Sequence, residues 1–349
     1  MLLPLSLCLP APHPGQVEAD PGRLVVLNKA ANTAMIFDLA SGKRLVTLPT
    51  GNGPHEVAVS PDGRRAVVAN YGRQQAGSSL TVLDLPCLEV VATLDLGKPI
   101  RPHGLVFTPD GESLWVTAEA SQEVWRVSFP AGEVLDRFRT GQAATHMVAL
   151  DNQGWAYSAN IGSGSLSRVR PGFQPEVQSM ATGAGAEGIA VRPDGRQVWV
   201  SNRQADTVSV VDLESWEVVK TLGCKGFPIR VLFTGGKALV TCPQDGALAF
   251  FDGQSGADLG RTSFAAKAAD QGEGRLFRNQ FGSSPVPIGM TANSAGTRVY
   301  VALAGADQVA IVNLDSQEVI GSLTTGKEPD GIAWYPSQPA QGLGTAAGD

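Results

Sequence analysis

The chain has 349 residues, with 41 glycines, 23 prolines, only 17% charged residues and a formal charge of -6. That composition suits many short strands joined by tight turns. No basic run exists for a general nucleic-acid surface, and no apolar run is long enough for a membrane-spanning helix.

Residues 1–21 open with M-L-L-P-L-S-L-C-L-P. They lack the basic start and full length of a complete secretion signal, so they read as a flexible leader or a signal-peptide remnant. The segment R-L-V-V-L-N-K-A-A-N-T-A-M-I-F-D-L then supplies three strands. From Gly53 a repeat begins with G-P-H-E-V-A-V-S-P-D-G, returns as R-P-H-G-L-V-F-T-P-D-G from Arg101, and again as A-T-H-M-V-A-L-D from Ala144. Each unit holds a short apolar strand, a turn often written P-D-G, a second strand, a polar turn, and two more strands. Alternation and β-branched content mark them as strands.

First strands are predicted near His55, His103, His146, Glu187, Ile229, Ile288 and Asp330, mostly about forty residues apart, a period that belongs to propeller blades. The N-terminal three strands and the single C-terminal strand D-G-I-A-W-Y-P together make a seventh blade. The prediction is an all-β seven-bladed propeller over residues 22–336, with four-stranded antiparallel blades. Strands from both ends of the chain meet in one blade and leave no open edge. Residues 337–349 are expected to be a disordered tail.

The repeat resembles that of the YncE-like, or YVTN-repeat, seven-bladed propellers. The resemblance rests on P-H-E-V-A-V-S-P-D-G-R-R-A-V-V-A-N, E-G-I-A-V-R-P-D-G-R-Q-V-W-V-S-N and T-V-S-V-V-D. It implies the fold but not an activity, because propellers host several functions. Many such proteins are extracytoplasmic, so a periplasmic or secreted location is expected.

In a propeller the start of each innermost strand faces the central channel. Asp330, His55, His103, His146 and Glu187 should then form a polar arc, with Ile229 and Ile288 as an apolar wall. His55, His103, His146 and Glu187 are candidate ligands for Zn, Fe, Mn or Cu, since imidazole and carboxylate suit these metals. Solvent-binding histidines are the structural alternative. The ends of the second strands, read as Asn28, Asn70, Glu119, Asn160, Asn202 and Cys242, should form an outer ring. There Glu119 could orient a histidine, and Asn70, Asn160 and Asn202 either meet substrate or tie turns. Asp330 and Glu119 are candidate bases. Arg230 stands where other blades carry Gly, Met or Val, and is expected either to meet an anion over the channel or to pair with a carboxylate.

Between Phe264 and Pro287 the period stretches, and such inserts often carry function. Arg275, Arg278, Asn279, Phe277 and Phe281 are candidates to roof the channel, a surface flap being the alternative. Cys8, Cys87, Cys224 and Cys242 lack metal-ligand spacing. Cys224 and Cys242 fall on one blade, where a disulfide, an inert thiol and a reactive thiolate all stay open.

The leading functional expectation is a metal ion and a small polar ligand at the channel mouth, with hydrolase or lyase chemistry. A metal-free lactonase-like hydrolase and a non-enzymatic scaffold for a ligand or protein partner are the alternatives.

Overall fold

The computed structural model describes residues 21–172, 174–266, 269, 274–277 and 280–337. The expected leader and tail lie outside them, except for Pro21 and Ser337. The strands run from Gly22 to Pro336 and form seven four-stranded antiparallel sheets. Blade 1 starts with Pro54–Val59 and Arg65–Gly72, blade 2 with Pro102–Phe107 and Ser113–Ala118, and blade 3 with Thr145–Leu150 and Ala156–Asn160. Blade 4 starts with Ala186–Val191 and Gln197–Asn202, blade 5 with Arg230–Thr234 and Lys237–Cys242, and blade 6 with Pro287–Ala292 and Arg298–Leu303. Blade 7 joins the last strand, Pro329–Pro336, to the first, Gly22–Asn28. The expected closure by both ends is therefore observed.

The core lies between blades rather than inside any one. Val67, Leu80 and Val82 of blade 1 pack on Leu105, Leu114 and Val116 of blade 2. Val25 and Leu27 of blade 7 pack on Val68 and Leu83 of blade 1. A single sheet has two apolar faces and must bury both, which radial stacking achieves.

Around the axis the inner strands nearly touch. A Cβ added to Gly289 would lie 2.0 Å from the Asp330 carbonyl oxygen, and one on Gly331 would lie 2.3 Å from that of His55. Only glycine permits this approach. In every blade except the fifth, the inner strand also slips register where it begins, for example between Pro54 and Val57, Pro102 and Leu105, and Thr145 and Met147. Such a bulge re-aims a side chain out of the ladder. His55, His103, His146, Glu187, Ile288 and Asp330 all lie within these slips. In blade 5 Arg230 instead pairs regularly with Thr241.

Candidate active site at the channel mouth

The bulges gather the three histidines into one stack. His103 lies in the middle, with ring centroids 4.0 Å from His55 and 3.3 Å from His146. The Nε2 atoms of His55 and His103 are 3.0 Å apart. All three rings are buried. Burial, then mutual and neighbouring positive charge, holds His55 and His103 well below the usual imidazole range. Both are neutral near pH 7, so each keeps an unprotonated nitrogen for a proton or a metal.

His146 behaves differently. Burial pulls its pKa down, but hydrogen bonds to Glu119 and Glu187 and the charges of both outweigh burial and raise it. Its Nδ1 lies 2.8 Å from Glu119 Oε2, and its Nε2 is 3.6 Å from Glu187 Oε1. Burial would raise Glu187, yet His146, Arg203 and Arg230 bring it down to about 2. Arg203 Nη1 donates to it at 2.7 Å and Arg230 Nη1 at 3.3 Å.

Asp330 closes the arc on the other side. Lys29 Nζ stands 3.0 Å from its Oδ2 and His55 Nδ1 stands 3.1 Å away. These are charge contacts off hydrogen-bond geometry, and both oxygens of this fully buried carboxylate lack a hydrogen-bond partner among the described residues. The Nδ1 atoms of His55 and His103 are orphaned in the same way. Native interiors rarely leave such groups unpaired without a functional reason.

The structure thus brings together Asp330, His55, His103, His146, Glu187 and Glu119. It divides the expected ligand set. Two overlapping groups, His55–Glu56–His103 and His103–Glu119–His146, bring donor atoms within 4.8 Å of one another. Glu187 belongs to neither and is engaged by two arginines.

Glu119 requires a correction of register. It was expected to align with Asn70 and Asn160. Pro102 pairs with Ala118 as Pro54 pairs with Asn70, so Glu119 lies one residue beyond the strand end. Its equivalents are Lys29, Tyr71 and Arg203, each following a second-strand Asn. This ring of strand exits was missed, and it touches the inner slots directly. Tyr71 donates to Glu119 Oε1 at 2.8 Å, and its ring meets His55 and His103 edge-on at 5.1 and 5.3 Å. The signal was present as the residue after each Asn in V-V-A-N-Y and V-W-V-S-N-R.

Arg230 is buried, not spread over the mouth. Its guanidinium crosses the axis to Glu56 of blade 1, a partner 174 residues away, and also holds Glu187. Burial raises the Glu56 carboxyl more than Arg230 lowers it. Glu56 was missed because one sequence carries no sign of so distant a contact. The asparagines turn into their own blades. Asn70 bonds Ser79, Thr81 and the Gly51 amide; Asn160 bonds Ser165 and Ser167; Asn202 bonds Thr207 and Ser209.

Of the insert, Arg278 and Asn279 lie outside the described residues. Arg275 is tied to Asp307, with Nη1 to Oδ1 at 3.0 Å. Buried Glu328 accepts the Leu276 and Phe277 amides at 2.7 and 3.0 Å. Phe277 and Phe281 pack on the cluster of Ile229, Val286 and Ile288. The described part of the insert therefore rests on the apolar half of the ring, and Phe277 also faces Lys29, whose Nζ lies 5.6 Å from the ring centre.

Residues 49–225, just over half of the chain, match the family described as "Lactonase, 7-bladed beta-propeller". This chain belongs to the lactonase family of seven-bladed propellers. Among its relatives is the dihydro-heme d1 dehydrogenase of Pseudomonas aeruginosa, 26% identical over 228 residues. That match covers 61% of this lactonase-family chain but only 45% of the relative. Two solved structures show the same fold. The periplasmic gluconolactonase PpgL of Pseudomonas aeruginosa has a TM-score of 0.70 at 16% identity, covering 91% of this chain and 99% of that one. A functionally unknown protein from Desulfotomaculum acetoxidans has a TM-score of 0.73 at 15% identity, covering 90% and 99%. No helix among the described residues is long and apolar enough to cross a membrane.

Proposed function

We propose that the channel mouth hydrolyses a lactone or related ester of a small polar molecule, assisted by a bound metal ion. The observation that carries this reading is the buried stack of three imidazoles, two with unpaired ring nitrogens and one held by Glu119, in a chain of the lactonase family. Within that family, a YncE-like repeat type is part of the proposal, supported by the quoted motifs. An extracytoplasmic location is part of the same proposal, supported by the periplasmic description of the gluconolactonase of like fold.

The residues fit a metal. His55, His103 and His146 offer nitrogen donors, two have orphaned buried ring atoms, and Glu56 and Glu119 stand within reach. Zn, Fe, Mn or Cu bound there would polarise a carbonyl oxygen and lower the pKa of water. The protein's own groups supply the rest. Asp330, whose buried oxygens lack a hydrogen-bond partner among the described residues, takes a proton from the attacking water. Water adds to the ester carbon, the ring C–O bond breaks, and the alkoxide is reprotonated to give a hydroxy acid. Lys29, beside Asp330, places a cation on the same wall, where negative charge develops. Glu119 fixes His146 through Nδ1. Arg230 positions Glu187 and Glu56.

The test pairs elemental analysis of untagged protein with hydrolysis of a lactone series. Near-stoichiometric metal and chelator-sensitive lactone opening, both lost in His103→Ala, are expected. Lactone opening that survives chelation would remove the metal from the reading. Neither metal nor activity would leave a scaffold for a ligand or protein partner.

A second reading is favoured by the 26% identical relative, whose name concerns a tetrapyrrole. In that reading the histidines ligate a haem-like macrocycle. Titration with hemin decides it: a Soret shift abolished by His103→Ala supports it, and an unchanged spectrum rejects it.

A further inference from the structure

Each blade is entered by a loop whose first residue is fastened to the turn between two strands of the preceding blade. The amides of Thr50, Thr140, Thr182 and Thr325 bond the carbonyls of Asn32, Gln122, Gly164 and Asp307. Cys224 does the same with Asp206 at 2.8 Å, so it occupies the threonine slot of blade 5. Cys242 ends the second strand of that blade, in the slot held by Asn28, Asn70, Asn160 and Asn202 elsewhere. In blades 7 and 1 that asparagine clamps the entering loop, Asn28 Oδ1 accepting the Gly326 amide at 2.9 Å and Asn70 Oδ1 accepting the Gly51 amide at 3.1 Å. Blade 5 replaces the polar clamp with two thiols, whose Sγ atoms are 3.7 Å apart and fully buried.

We propose that Cys224 and Cys242 form a disulfide, a covalent counterpart of the asparagine clamp, when the chain folds under oxidising conditions. Two observations converge: both cysteines fall on the two slots that meet at the joint, and their sulfurs are already in contact. The oxidant is an external disulfide, such as a dithiol oxidase or oxidised glutathione. One cysteine thiolate attacks it and releases a thiolate. The second cysteine then attacks the mixed disulfide and releases the other, so two protons and two electrons leave the pair in all. Because both sulfurs are buried in the folded protein, the bond forms while the blade closes. Six residues after Cys224 the chain reaches Arg230, so the bond braces the loop that carries the axis-crossing arginine.

The full-length protein is unfolded, refolded in equimolar reduced and oxidised glutathione, alkylated under denaturing conditions and peptide-mapped. The expected result is a linked Cys224–Cys242 peptide, with two of the four thiols alkylated. Dithiothreitol should then lower Tm by about 5 °C. The C224T/C242N variant, which restores the residues used by other blades, should fold and show no response to reductant. Four alkylated thiols would overturn the proposal. So would a linked peptide with a Tm indifferent to dithiothreitol, because the bond would then clamp nothing.

Discussion

Replacing Arg230 with methionine tests whether the axis is held by charge. The guanidinium is buried and engages Glu56 and Glu187, whose side chains are only 14% and 8% exposed. Methionine keeps much of the apolar volume but leaves two carboxylates facing each other without a cation between them. Breaking a buried pair from one side costs about 3–5 kcal/mol, because the stranded charge is not rehydrated. Arg203 still neutralises Glu187, so the loss should fall at the lower end, about 3 kcal/mol. Urea unfolding of wild type and R230M at pH 7 measures it. The E56Q/R230M double variant should recover at least about 1 kcal/mol of that loss, since Glu56 is the carboxylate left without a partner. A loss below about 1 kcal/mol in R230M, with no recovery in the double variant, would refute the claim that this ion pair is desolvated.

Further outcomes follow from the same geometry. Glu187 is held at about 2 against an ordinary 4.5, so its contribution is complete above pH 4.5 and lost as pH falls toward 2. That contribution is of the order of 3 kcal/mol, and the stability of E187Q should fall less between pH 5 and pH 2 when followed by urea midpoint. Glu119→Gln removes the carboxylate at His146 Nδ1 and leaves only Glu187 beside the ring; kcat on any accepted lactone should drop about 10-fold or more, while KM changes little. Equal changes in both would show a binding role instead. Gly331→Ala places a methyl against the His55 carbonyl and should cost at least about 2 kcal/mol in thermal unfolding. A neutral outcome would mean the inner strands can part.

The repeat was legible because alternation, P-D-G turns and a forty-residue period all report local backbone chemistry. Slots counted from those turns put His55, His103 and His146 on the axis, where the structure has them. Glu119 went astray by one residue because Ala118 fills the slot held by Asn70 and Asn160 in their blades, and the polar residue after it was read in its place. Lys29, Tyr71 and Arg203 were overlooked for a related reason: the second-strand asparagine draws the eye, while the next residue does the touching. The Arg230–Glu56 contact spans four blades one way round and three the other, and nothing local encodes it. The apolar wall at Ile229 and Ile288 was readable, and the aromatic residues of the insert settle on it as surface area requires.

Asp330 belongs to the strand that closes the ring. The last strand to pair therefore also delivers the last carboxylate of the mouth. A chain cut short before that strand would have an open seam and would lack Asp330. Such a chain would keep Gly22–Asn28 without its inner neighbour and leave Lys29 and His55 without the Asp330 carboxylate, so one strand joins the sealing of the ring to the completion of its polar arc.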